Sequence, residues 1–83
     1  IVILSVGAEN NVSDGIKLTA TSDTSCISNC PIDNNGGWGV NVAASTDDNN
    51  LILGNNLRSN SSGQVTDSGT GTLIRSNIGV ADN

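Results

Sequence analysis

Two hexapeptides 24 residues apart constrain this chain more than any other feature. GIKLTA (residues 15–20) and GVNVAA (residues 39–44) coincide in an initial glycine, two apolar positions spaced by two, and a closing alanine. A third copy, QVTDSG (residues 64–69), follows 25 residues later, with Val65 keeping the first apolar position and Asp67 replacing the second. Side chains two apart on extended backbone point to the same face, so each hexapeptide reads as a short strand with one apolar side. A spacing of about two dozen residues marks a repeat whose single unit cannot bury its apolar side, and which does so against the next unit.

A second wall follows each copy. ISNCPIDNN (residues 27–35), ILGNNLRSN (52–60) and LIRSNIGV (73–80) align with Ile32, Leu57 and Ile78 in register. That alignment puts Pro31, Asn56 and Asn77 in one column and Cys30, Asn55 and Ser76 in another. VILSVGAEN (residues 2–10) reads as the same wall of a preceding unit, with Asn10 placed 24 before Asn34. Short parallel strands stacked in this way make a β-solenoid, and like residues then lie over like. Asn55, Asn56 and Asn77 are expected at corners, bonded up and down as a structural ladder. The chain reads as a single module over residues 1–83, with 1–12 a partial preceding coil and 13–81 the repeat region.

Composition agrees and excludes much. Trp38 is the only aromatic residue, and Phe, Tyr and Met are absent, so the interior must be narrow and built from Ile, Leu, Val and Ala. Asn, Ser, Thr, Gly and Asp favour turns and caps over helix interiors, which argues against a helical bundle. Eight acidic residues against three basic ones leave no clustered Lys and Arg for a phosphate backbone or an anionic bilayer. The longest apolar run, near residues 1–8, falls well short of the roughly 20 residues of a membrane span. It also lacks the charged start of a signal peptide. No nucleic-acid partner and no membrane insertion are expected. A chain opening on Ile rather than Met reads as a processed product or a segment of something longer.

The stretch GWGVNVAASTDDNNLILGNNLRSNSSG (residues 37–63) combines a small-residue strand, a variable turn and an apolar-Gly-Asn-Asn-Leu strand. It resembles a coil of the right-handed parallel β-helix, or pectin-lyase-like, superfamily, and most of all the phage tailspike and virion-surface modules. The resemblance runs over about residues 13–81. It implies an all-β fold, a right-handed parallel β-helix of about three coils, within an oligomer or a larger chain. It says little about activity, because the pattern records stacking rather than chemistry.

The chemistry the residues offer is sparse. With no histidine, the commonest general base and metal ligand is missing, and a Ser-His-Asp triad is excluded. The hydrolases of the superfamily that this chain resembles pair an Asp-Asp element with histidine and an Arg-x-Lys motif. Here Asp47 and Asp48 supply only the dipeptide, and solvated turn residues are the expectation, with a binding role as the functional alternative. The lyase branch resembles acidic residues holding calcium beside a basic residue, for which Asp14, Asp23, Asp33, Asp67 and Arg75 would have to converge. DNNG (residues 33–36) has oxygen ligands before a glycine but lacks the spacing of an EF-hand. No metal site and no cofactor are expected, weak calcium binding being the one exception left open.

Cys26 and Cys30 are too few for structural zinc without histidine. Four residues of extended chain cover about 13 Å, beyond the roughly 7 Å that a disulfide bridges. A bond between them needs a bend at Ser28–Asn29, and a small corner residue at Cys30 is the alternative. Trp38 offers a flat face to a sugar, or packs over a turn or against another subunit, since tryptophan is enriched at interfaces. The sequons at Asn11 and Asn60 are expected by chance in so Asn- and Ser-rich a chain. Thr19 and Thr21 face Ala43 and Ser45 in the next copy, which breaks the regular threonine array of an ice-binding surface.

About three coils leave two open ends, each a row of unpaired backbone groups, and neither terminus carries an evident cap. Symmetric association is one remedy, and a homotrimer is favoured by likeness to spikes; docking on a larger virion or cell-surface assembly is another. The expected function is a non-enzymatic structural or adhesive element, extracellular or on a virion surface. The alternatives are a fragment of a polysaccharide lyase or hydrolase, and a carbohydrate- or ice-binding solenoid.

Overall fold

Turns recur so often in this sequence that no extended segment exceeds five residues. The computed structural model describes residues 1–83 and contains nine strands and no helix. They are β1 (Val2–Leu4), β2 (Ile16–Leu18), β3 (Cys26–Ser28), β4 (Pro31–Asp33), β5 (Trp38–Val42), β6 (Leu51–Leu53), β7 (Asn56–Arg58), β8 (Gly63–Asp67) and β9 (Leu73–Arg75). Every pairing is parallel. One sheet runs β1-β3-β6-β9, a second β2-β5-β8, and β4 pairs with β7. The two complete blocks, β3-β4-β5 and β6-β7-β8, each send one strand to each sheet in the same order; we call such a block a rung.

The registers follow the repeat. Ile16, Val40 and Val65 are successive partners, as are Cys26, Leu51 and Leu73, with Val2 preceding Cys26. Ile32 pairs with Leu57. Alternate residues of each strand point inward, and Ile27, Ile32, Val40, Val42, Ile52 and Leu57 are at most 1% exposed. Burying each such side chain contributes about 1.5–3 kcal/mol. The interior is the thin aliphatic layer that the composition requires.

The corners obey one rule. A single left-handed residue turns the chain, and the residue after it points into the stack. After the strands of the four-stranded sheet the left-handed residues are Ser5, Asn29, Gly54 and Ser76; after β4 and β7 they are Asn34 and Ser59, with Asn10 in the same column. Before β3, β6 and β9 they are Thr24, Asn49 and Gly71. Outside glycine this conformation is costly and is best tolerated by residues with short polar side chains, asparagine first. That requirement accounts for four of the 13 asparagines and three of the 11 serines.

The last rung departs from the expected register by one residue. Ile78 bridges to Asn56 rather than Leu57, and Asn77 stands beside Asn55, not Asn56. The corner decides this. Ser76 takes the left-handed place held by Gly54 and Asn29, and the match of Ile78 to Leu57 carries little weight because Ile78 stays 52% exposed. Beyond β9, Asn83 Oδ1 accepts from the Ile74 amide and Asp82 Oδ1 from the Ser76 amide. These side chains take the place that a further strand's carbonyls would fill, a cap that the sequence reading did not find.

Candidate functional site

Parallel stacking leaves one amide and one carbonyl near each corner without a sheet partner, and buried backbone groups must be paired. Asparagine, carrying both a donor and an acceptor, does both tasks. Asn35 Oδ1 accepts from the Asn11 amide while Asn35 Nδ2 donates to the Ala8 carbonyl. Asn60 repeats this on the Asn35 amide and the Ile32 carbonyl. At another corner Asn55 bonds the Cys30 amide and the Ile27 carbonyl, and Asn77 the Asn55 amide and the Ile52 carbonyl. The acceptor reaches the matched residue of the previous rung, and the donor reaches the carbonyl three residues before it.

Of the three asparagines expected in a ladder, Asn55 and Asn77 are therefore adjacent members of one column. Asn56 is not a corner residue. It lies exposed on β7, because the left-handed residue is Gly54 and the inward position after it belongs to Asn55. Asn11, Asn35 and Asn60 form a second column that the alignment did not single out. A residue tolerant of the left-handed conformation followed by asparagine is the signal that identifies both: NN at 10–11 and 34–35, SN at 59–60 and 76–77, GN at 54–55.

Asp47 is fully buried rather than a solvated turn residue. Its Oδ1 accepts from the Ser22 amide of the previous rung at 2.7 Å, and its Oδ2 from the Ala44 amide at 2.9 Å. Both oxygens are thus held by backbone, and neither faces a substrate. Asp48 is half-buried; its own amide donates to Asp23 Oδ1 and its Oδ1 accepts from the Thr70 amide. Asp67 Oδ1 accepts from the Gly69 amide and the Thr72 hydroxyl. Arg75 Nη1 donates to Asn83 Oδ1. The carboxylates considered for catalysis are distributed over separate turns and do not converge with Arg75. Asp33, in the DNNG turn, stands opposite Arg58 in register, and the Asn35 oxygen that a cation would need there is occupied by Asn11.

Trp38 opens β5 opposite Gly63, and its six-membered ring lies over that glycine so closely that a Cβ there would fall 2.5 Å from the ring. The indole therefore covers a turn of the next rung. The Trp38 amide donates to Asp14 Oδ1 at 2.7 Å, and Asn41 Nδ2 to Asp14 Oδ2 at 2.9 Å. The Asn41 bond and then the Trp38 amide hold the Asp14 carboxyl below its ordinary value of 3.8, against the opposing effect of burial. Lys17, the register partner of Asn41, adds a smaller attraction. This half-buried cluster is the only one that combines an aromatic ring with a charged pair. It shares no bonding partner with Asp47 or Asp48.

Cys26 and Cys30 carry free thiols, so the local disulfide considered above is not formed. Cys26 sits on an outward position of β3, while Cys30 is buried at the adjoining corner. Cys30 Sγ lies 3.8 Å from the Ile3 carbonyl and 3.3 Å from that of Ser28. It fills the slot that asparagine holds in the next two rungs. No cluster of three metal-ligating side chains and no ligand-sized cavity is present. The chain matches no family model, and neither a curated protein nor a solved structure gives a match.

Proposed function

We propose that this chain is a right-handed parallel β-helix module with a structural or adhesive role, displayed outside the cell or on a virion surface. One observation carries the reading: Asp47, the buried member of the Asp-Asp pair, has both oxygens committed to backbone amides, Ser22 of the previous rung and Ala44 of its own. Handedness rests on the strong preference of parallel crossovers for the right-handed sense. The extents of 27 × 23 × 20 Å make the module about as tall as it is wide, so stiffness over distance requires copies or further rungs. Homo-oligomers, trimers among them, and larger surface assemblies fit that need, and Trp38 with Asp14, Lys17 and Asn41 is the place where a glycan would be received.

The rival is a polysaccharide lyase or hydrolase. Incubating the purified chain with acidic polysaccharides, and following unsaturated products and reducing ends, is expected to give no release above a buffer blank. Turnover that disappears in Asp48→Asn or Arg75→Gln, with the fold retained by circular dichroism, would establish the enzyme instead.

A further inference from the structure

The three sheets differ in what they turn outward. Outward positions of the three-stranded sheet include Lys17, Asn41 and Thr66, and those of β4 and β7 are Pro31, Asp33, Asn56 and Arg58. The four-stranded sheet turns out Val2 and Leu4, then Cys26 and Ser28, then Leu51 and Leu53, then Leu73 and Arg75. Val2, Leu4, Leu53 and Leu73 are 69, 56, 36 and 49% exposed. None of the chain's eight acidic residues occupies an outward position on this sheet. A chain of net charge −5 can therefore meet a copy of itself here with the least repulsion.

The relief of the face is self-complementary. The small side chains of β3 form a shallow row next to the leucine row of β6. A two-fold axis parallel to the strands and passing between β3 and β6 sets each copy's Leu51 and Leu53 over the other's Cys26 and Ser28. The same operation lays Val2 and Leu4 against Leu73 and Arg75 of the other copy, an isologous contact that closes on itself. The area suits it. Fully burying an aliphatic side chain removes about 60–120 Å² from water, so these four partly exposed residues offer on the order of 200 Å² per copy. A specific pair burying about 1,000 Å² in total, near 60% apolar, asks for about 300 Å² from each side, of which these four residues supply about two thirds and half-buried Leu51 and Cys26 part of the rest.

We infer that the outward face of β1, β3, β6 and β9 is a docking surface for a second copy of this chain, joined about a two-fold axis parallel to the strands. This deepens the structural reading above and rests on it, naming the face through which copies unite.

Sedimentation velocity of the intact chain from 1 to 200 µM tests it. The wild type is expected to pass from monomer to dimer, and Leu4→Lys with Leu53→Lys to raise the dissociation constant at least tenfold, while Thr66→Lys on the three-stranded sheet leaves it unchanged. The axis has its own test in Val2→Cys with Leu73→Cys and Cys26→Ser. Within one copy the two new thiols are three strands apart, roughly 14 Å, so only the two-fold pair joins them into a covalent dimer on mild oxidation. A wild type monomeric at 200 µM, or association equally weakened by Thr66→Lys, overturns the docking surface, as does a dimer that the thiols fail to cross-link. A monomer with retained strand signal in circular dichroism leaves the structural reading standing. Polysaccharide turnover defeats that reading whatever the state of association.

Discussion

Two corners of the same rungs are built to one plan and reach different results. At the Asn11–Asn35–Asn60 corner every side-chain donor and acceptor of Asn35 and Asn60 has a partner. At the Ser25–Asn50–Thr72 corner, Asn50 Oδ1 takes the Ser25 amide, but Asn50 Nδ2 and Ser25 Oγ are buried without partners. The left-handed residues are in place at both, so the turn is not the cause. What differs is the preceding chain. The carbonyl that Asn50 should reach belongs to Ser22, in a stretch where Ala20 and Thr21 are also left-handed and the Ser22 amide is held by Asp47. A ladder asparagine therefore depends on the chain three residues upstream in the neighbouring rung as much as on its own corner.

Substitutions at the two corners should separate them. A chain of 83 residues has a total stability of about 4–12 kcal/mol, and each buried group left unpaired costs about 1–3 kcal/mol. Asn60→Ala orphans the Asn35 amide and the Ile32 carbonyl and should cost roughly 3 kcal/mol in urea denaturation. Asn50→Ala orphans only the Ser25 amide and removes a donor already unsatisfied, so about 1 kcal/mol is expected. Equal losses would refute the comparison. Asp47→Ala strands two amides and should cost roughly 2–3 kcal/mol, with Asp47→Asn milder because one acceptor survives.

Cys30 marks a third version of the plan, with a thiol in the asparagine slot. Cys30→Asn places Nδ2 toward the Ile3 carbonyl and Oδ1 toward the Val6 amide, and is expected to raise stability by about 1 kcal/mol, read as a higher melting temperature. A fall would show that the first rung does not present those groups as the later ones do.

The smallest effect concerns Asp14. Because its carboxyl titrates below 3.8, its contribution to stability is complete above the ordinary carboxylate range and is lost as pH falls through the lowered value. Asn41→Ala should move the Asp14 titration, followed by carboxyl NMR, up toward 3.8. An unmoved midpoint would assign the shift to the Trp38 amide instead.

The pairing of residues 15–20 with 39–44 and 64–69 was legible because inward positions repeat an aliphatic identity that burial demands. Corners were harder to read. Their left-handed site accepts Asn, Ser or Gly alike, so Asn29, Gly54 and Ser76 do not look like one column, and aligning on Ile78 shifted the last rung by one. Asp47 was misread for a related reason. A carboxylate in a polar turn looks solvated until the Ser22 amide, 25 residues away, is brought onto it.

The spacing between rungs carries a practical corollary. Two residues separate β3 from β4 and β6 from β7, and four separate β4 from β5 and β7 from β8, whereas eight lie between β5 and β6 and only five between β8 and β9. All variation in perimeter is thus taken up on a single edge of the cross-section. Ser45 and Thr46 stand exposed on that edge, so added length is best accommodated there, provided the turn that Ala44 and Asp47 close across them is kept.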